Sequence, residues 1–195
     1  GVQQNTAWLF RQKVQKAMES SRNHPLEDEV HVDEFEIGTP KQGEQGRAHS
    51  NTKMRVVIAI EHREGKSGRG YAKVIADYSS ESLKPIFDEH IDKRAYVLAD
   101  GWSGYQPMKE GFPNLSQILS EKGRNFKMLH IQIRNFKNWL RGVHSYCGRE
   151  YLQKYIDEYF YRFNRRNHRA SILDKLIERC VDCSPMTKNS LFLAT

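Results

Sequence analysis

Long apolar runs and cysteine are what this chain has least of. No apolar stretch approaches the ~18 residues that a membrane-crossing helix needs, and the first residues lack the pattern of a secretory signal. The cytoplasm is therefore the expected compartment. The three cysteines, Cys147, Cys180 and Cys183, are an odd number and do not make a disulfide framework. Cys180 and Cys183 have the spacing of half a zinc site, yet no second pair exists to complete four ligands. What is present is 195 residues, 38% of them hydrophobic, enough for one sizeable core with a small appendage.

The net charge of +7 is unevenly spread. Residues 1–100 carry 15 Lys/Arg against 16 Asp/Glu, whereas residues 101–195 carry 16 against 8. A cationic second half is the electrostatic footprint of a polyanion partner, most often nucleic acid. A solvated basic surface is the competing explanation.

Two acids stand where the pattern of a strand disfavours them. In Glu29-Val30-His31-Val32-Asp33-Glu34-Phe35-Glu36-Ile37, a period of two puts Asp33 on the face of Phe35 and Ile37, which should be buried. An ionised carboxylate there needs a partner. Asp100 ends the apolar run Ala95-Tyr96-Val97-Leu98-Ala99 and precedes Gly101, Ser103 and Gly104, which places it at a strand end facing a loop. Two strand-borne carboxylates that converge are what a divalent-metal site for phosphoryl transfer requires.

Around these acids the pattern predicts a helix to about Glu19 with Ala7, Phe10, Val14, Ala17 and Met18 on its apolar side, capped by Asn5 or Thr6. A polar linker over 22–29 leads into the Asp33 strand. Residues 39–53, rich in Gly, Gln and Lys, read as a mobile loop. Strands are expected at 54–62 and 70–78, joined by a connection over 63–69, then a helix at 80–91 capped by Ser79 or Ser80. Further strands at 94–100 and 116–122 and long helices at 125–142 and 149–167 complete the order β-β-β-α-β-α-β-α-α. That order implies an α/β fold, a mixed five-stranded sheet flanked by helices.

The last two helices carry the charge. Leu129, Ile133, Phe136, Leu140 and Val143 form a core-facing stripe, and one position along, Lys127, His130, Arg134, Lys137 and Arg141 form a cationic one about 100° around the helix. An anion would relieve the repulsion along it. In the next helix Leu152, Ile156, Tyr159 and Phe163 make the apolar stripe, with Tyr155 and Phe160 beside it. Glu158 is spaced to pair with Arg162. Arg162, Arg165, Arg166 and Arg169, interleaved with aromatics, suit phosphate contact, with a structural arginine network as the competitor.

Val32-Asp33-Glu34, Ala99-Asp100-Gly101-Trp102-Ser103-Gly104-Tyr105, Asn135-Phe136-Lys137-x-Trp139-Leu140-Arg141-Gly142 and, most specifically, Tyr155 to Arg166 resemble the ISXO-type insertion-sequence transposases. These are bacterial enzymes with a DDE-type, ribonuclease H-like catalytic domain. The resemblance spans about residues 1–168. In that family a zinc ribbon and a helix-turn-helix precede the catalytic domain, and Gly1–Ser20 resembles the last helix of that part. The resemblance thus implies a fragment, with a remnant DNA-binding helix and linker over 1–28, a catalytic domain over 29–170 and a C-terminal helix and tail over 171–195.

The resemblance implies that Asp33 and Asp100 are the first two metal-binding acids. For the third position there is no acid between Glu121 and Glu150. His130 stands seven residues before Lys137 on the same helical face, which fits the family spacing. Asn135 is the alternative, turned about 140° from His130, and Glu158 is a third. On this basis two Mg2+ or Mn2+ ions roughly 4 Å apart would promote cleavage and strand transfer of DNA at transposon ends. His130, a ligand better suited to transition metals, would complete the shell, and Lys137 would hold a phosphate. Lys127, Arg134, Lys137, Arg141, Arg162, Arg165, Arg166 and Arg169 would contact DNA, and joining two ends implies a homodimer or larger assembly. The alternatives are a decayed or domesticated relative that binds DNA without catalysis, and a ribonuclease H-fold nuclease acting on RNA or hybrids.

Overall fold

The computed structural model describes residues 1–38, 53–119, 121, 124–184 and 187, so that the loop expected over 39–53 lies, apart from Lys53, outside the described residues. The chain divides into two compact units, residues 22–149 and residues 1–21 with 150–195.

The first unit is built on a mixed sheet. Strands β1 (Glu29–Ile37), β2 (Met54–Arg63) and β3 (Lys66–Ile75) form an antiparallel meander, while β4 (Tyr96–Ala99) and β5 (Leu115–Gln117) add in parallel, in the order β3-β2-β1-β4-β5. This is the five-stranded α/β arrangement expected from the pattern. Several boundaries differ: β3 ends at Ile75 rather than 78, and β4 covers Tyr96–Ala99 rather than 94–100. The connection expected over 63–69 is a two-residue turn, Glu64-Gly65, both at positive φ, so that β3 starts at Lys66. The helix expected between β4 and β5 is a 3-10 segment, Ser103–Glu110, and β5 covers three residues.

Alternation along β1 sends Val30 and Val32 to one face and His31 and Phe35 to the other. On the first face lies α2 (Ser80–His90), whose N-cap Ser79 accepts a hydrogen bond from the Ser82 amide at 3.3 Å. Its Leu83, Ile86 and Phe87 pack with Val30, Val32, Val57, Ala59, Val97 and Ala99, all fully buried. On the second face lies α3 (Lys127–Val143), where Phe136 meets Phe35 edge-on at 6.0 Å and Phe126 meets His31 at 5.4 Å. Leu129, Ile133, Phe136 and Leu140 are buried as the stripe predicts; Val143 is exposed, because it is the last residue of the helix.

The second unit comprises α1 (Gln4–Ala17), α4 (Leu152–Asn164) and α5 (Ile172–Asp182). Here the apolar patterns mislead. Helix α1 begins at Gln4, before Asn5 and Thr6, with no side-chain cap, and it exposes Phe10 while burying Gln12 and Gln15. The reason is a polar seam against α4: Lys154 Nζ donates to Gln12 Oε1 and Gln15 Nε2 donates to Glu158 Oε2, each at 2.9 Å. To reach that seam α4 turns so that Tyr155, Phe160 and Tyr161 are buried, leaving Tyr159 and Phe163 half-buried. The helix expected over 149–167 is 3-10 at Arg149–Tyr151 and α-helical over Leu152–Asn164.

Candidate active site

Parallel pairing brings the two acids of the sequence together. The last register pair of β1 and β4 is Val32 with Ala99, so the next residues along, Asp33 and Asp100, leave neighbouring strands side by side. Carboxylate oxygens of Asp33, Glu34 and Asp100 all lie within 4.8 Å of one another, and all three residues are half-buried. Glu34 is the member that sequence reasoning missed. Strict alternation turns it away from Asp33, but at the point where β4 ends the two can converge, and the adjacent acid was the available signal.

The two aspartates are held by backbone amides. Asp33 Oδ1 accepts the Glu34 amide at 2.8 Å, and Asp100 Oδ1 accepts the Trp102 amide at 2.9 Å. The loop after Asp100 is fixed in turn, because Trp102 Nε1 donates to the Tyr78 carbonyl at 2.9 Å and Gln117 Nε2 donates to the carbonyls of Asp100 and Trp102 at 3.0 and 2.7 Å. Gly104 is required there: a Cβ would lie 2.6 Å from Trp102 Nε1 and 2.7 Å from the Tyr78 carbonyl oxygen. Beneath the cluster Tyr105 is fully buried, and burial, then the charges of Glu34, Asp33 and Asp100, raise its hydroxyl well above the ordinary tyrosine range.

Helix α3 supplies the cationic wall. His130 Nε2 lies 3.6 Å from Asp33 Oδ2; that nitrogen is buried and has no hydrogen-bond partner among the described residues. Burial lowers the pKa of the ring, favouring the neutral imidazole. Lys137, two turns on, is half-buried with Nζ 5.3 Å from the centre of the Phe35 ring; burial first, then Arg141, lower its pKa, while Glu36 opposes them. Lys127, Arg134 and Arg141 are exposed. Asn135 is exposed as well, whereas His130 faces the acids.

The remaining candidates belong to the other unit. Glu158 is buried there, with Oε2 engaged by Gln15 and Oε1 by Arg162 at 2.9 Å. Arg165 lies 3.9 Å over the Tyr161 ring and donates to the Tyr161 carbonyl, and Arg166 lies 4.1 Å over Phe163 and donates to its carbonyl. These two arginines are thus stacked into their own helix end, while Arg162 and Arg169 are exposed.

Residues 25–164 match the family model described as the ISXO2-like transposase domain. No curated protein matches the chain. No described helix is long and apolar enough to cross a membrane.

Proposed function

The chain belongs to the ISXO2-like transposase family, and from that premise we propose that it cuts and transfers DNA strands at the ends of an insertion sequence, with Asp33 and Asp100 as the paired metal-holding acids. The observation that carries this reading is the meeting of those carboxylates, with Glu34, within 4.8 Å at adjoining strand ends. An all-oxygen cluster suits the hard cations Mg2+ and Mn2+, and DDE-type transposases generally use divalent metals. The buried Nε2 of His130, 3.6 Å from Asp33 Oδ2 and with no hydrogen-bond partner among the described residues, supports the same fit from the opposite side. When bound, such ions supply Lewis-acid stabilisation of charge on the attacking and leaving oxygens of a phosphodiester.

The residues divide the remaining work. Asp33 and Asp100, pinned through the amides of Glu34 and Trp102, present oxygens with little freedom to reorient. His130, neutral, offers a nitrogen that a carboxylate at this position would replace with a charge. Lys137, partly desolvated, is placed to hold a phosphate more strongly than a fully hydrated ammonium would. The exposed Lys127, Arg134 and Arg141 contact DNA phosphates without reading sequence, and in the other unit the exposed Arg162 and Arg169 are phosphate contacts of their own. Joining two ends calls for at least two copies.

The test is nicking of transposon-end DNA in Mn2+ by D33N and D100N. Each is expected to lose activity while keeping salt-dependent DNA binding; undiminished nicking by either removes the site. The non-acidic residue at position 130 favours one second reading, a decayed relative that binds DNA only. Wild-type protein that binds DNA but never nicks it in Mn2+ would select that reading.

A further inference from the structure

A second cluster of metal-ligating side chains lies outside the acidic site. Glu29 and His62 are directly opposite each other across β1 and β2, and His31 is two residues along β1 on the same face. Glu29 Oε1 lies 2.8 Å from His31 Nε2 and 3.0 Å from His62 Nδ1, and the ligand atoms of all three residues fall within 4.8 Å of one another. The imidazoles are stacked, their centres 5.2 Å apart and their planes 10° from parallel.

We propose that Glu29, His31 and His62 bind a transition-metal ion of the Zn2+ type, separately from the acidic centre. Two imidazole nitrogens and one carboxylate oxygen are a recurrent zinc ligand set that leaves a fourth position for water. Ligands about 2.1 Å from a tetrahedral ion stand roughly 3.4 Å apart, so outward shifts of a few tenths of an ångström admit the ion. Those ligands are preorganised, since two adjoining strands fix their backbones.

The surroundings fit the assignment. The His31 side chain is 9% exposed and roofed by the edge of Phe126, whereas Glu29 and His62 are 39% and 29% exposed, which gives the ion a route in from solvent. Among the described residues no lysine or arginine forms an ion pair with Glu29, although the chain carries a net charge of +7. Because Phe126 immediately precedes α3 and packs on His31, the bound ion would also brace the end of the helix that carries His130. The donor set differs from the acidic centre in hardness: nitrogen selects zinc-like ions, oxygen selects Mg2+ and Mn2+.

The test uses the full chain, stripped of metal and titrated with Zn2+ by calorimetry and with Co2+ by visible absorption. Wild type is expected to take up one Zn2+ that excess Mg2+ does not displace, with Co2+ giving intense low-coordination bands. H62A and E29Q, both at partly exposed positions, should each weaken Zn2+ binding by about 100-fold. The double variant D33N/D100N and the double variant C180S/C183S should bind Zn2+ as wild type does. Absence of Zn2+ binding and of Co2+ bands in the wild type would overturn the proposal. So would binding that survives H62A and E29Q but is lost in either double variant.

Discussion

At the scale of single residues, the proposed chemistry depends on which side chain faces Asp33 from α3. His130 Nε2 is 3.6 Å away and buried without a hydrogen-bond partner among the described residues, whereas Asn135 points to solvent. Replacing His130 with Ala should therefore lower Mn2+-dependent nicking by about 10-fold or more, while N135A leaves the rate within about twofold of wild type. Equal losses in both, in a steady-state nicking assay, would contradict this placement. E34Q supplies a second check. Because Glu34 shares the oxygen cluster and neighbours buried Tyr105, its neutralisation should raise the Mn2+ concentration needed for half-maximal nicking. Asp33 and Asp100 were legible in the sequence because they interrupt or end a strand pattern, and His130 because its seven-residue spacing to Lys137 fits the family resemblance. Glu34 was not, since a period of two assigns it to the other face and only the end of β4 lets the two acids converge.

At the scale of elements, α3 combines a buried apolar stripe with an exposed cationic one. Phe136 is fully buried against Phe35 and Trp139, so F136A should cost about 3–5 kcal/mol in urea denaturation. R134A and R141A alter exposed charges and should leave stability nearly unchanged. Each should instead weaken DNA binding across sequences and reduce the slope of log affinity against log salt by about 1. A stability loss without a change in that slope would reassign them to the fold. The sheet strands were legible because one or both of their faces are buried. Helices α1 and α4 were read less well: hydrophobic spacing selects Phe10, Tyr159 and Phe163, but the buried seam is polar, made by Gln12, Gln15, Lys154 and Glu158. Likewise Arg165 and Arg166 invite a phosphate reading, yet cation–π stacking on Tyr161 and Phe163 gives them local partners.

At the scale of the whole molecule, the fold carries a pH liability distinct from its chemistry. His90 is buried, stacked on Tyr71 at 4.3 Å, and burial pushes its pKa down to about 4, against the opposing pull of Glu89 and with smaller help from Lys73 and Arg22. The unfolded state binds this proton near the ordinary value of 6.5, so the fold is unpenalised above that pH and loses stability as pH falls toward 4. The loss is about 3 kcal/mol, measurable by urea denaturation across that window, and H90Q should make the profile shallower, leaving the contributions of His31 and His130, whose pKa values burial also lowers. A wild-type profile that is already flat would show that His90 is protonated within the fold.

The central claim, that the acids closing β1 and β4 hold divalent metal for DNA cleavage, meets its most direct test in a crystal of the protein with transposon-end DNA and millimolar Mn2+. Anomalous scattering is expected to place Mn2+ between the carboxylates of Asp33 and Asp100, with the His130 ring toward it and the scissile phosphate adjoining. DNA seated on the protein with no Mn2+ peak at those carboxylates would contradict it.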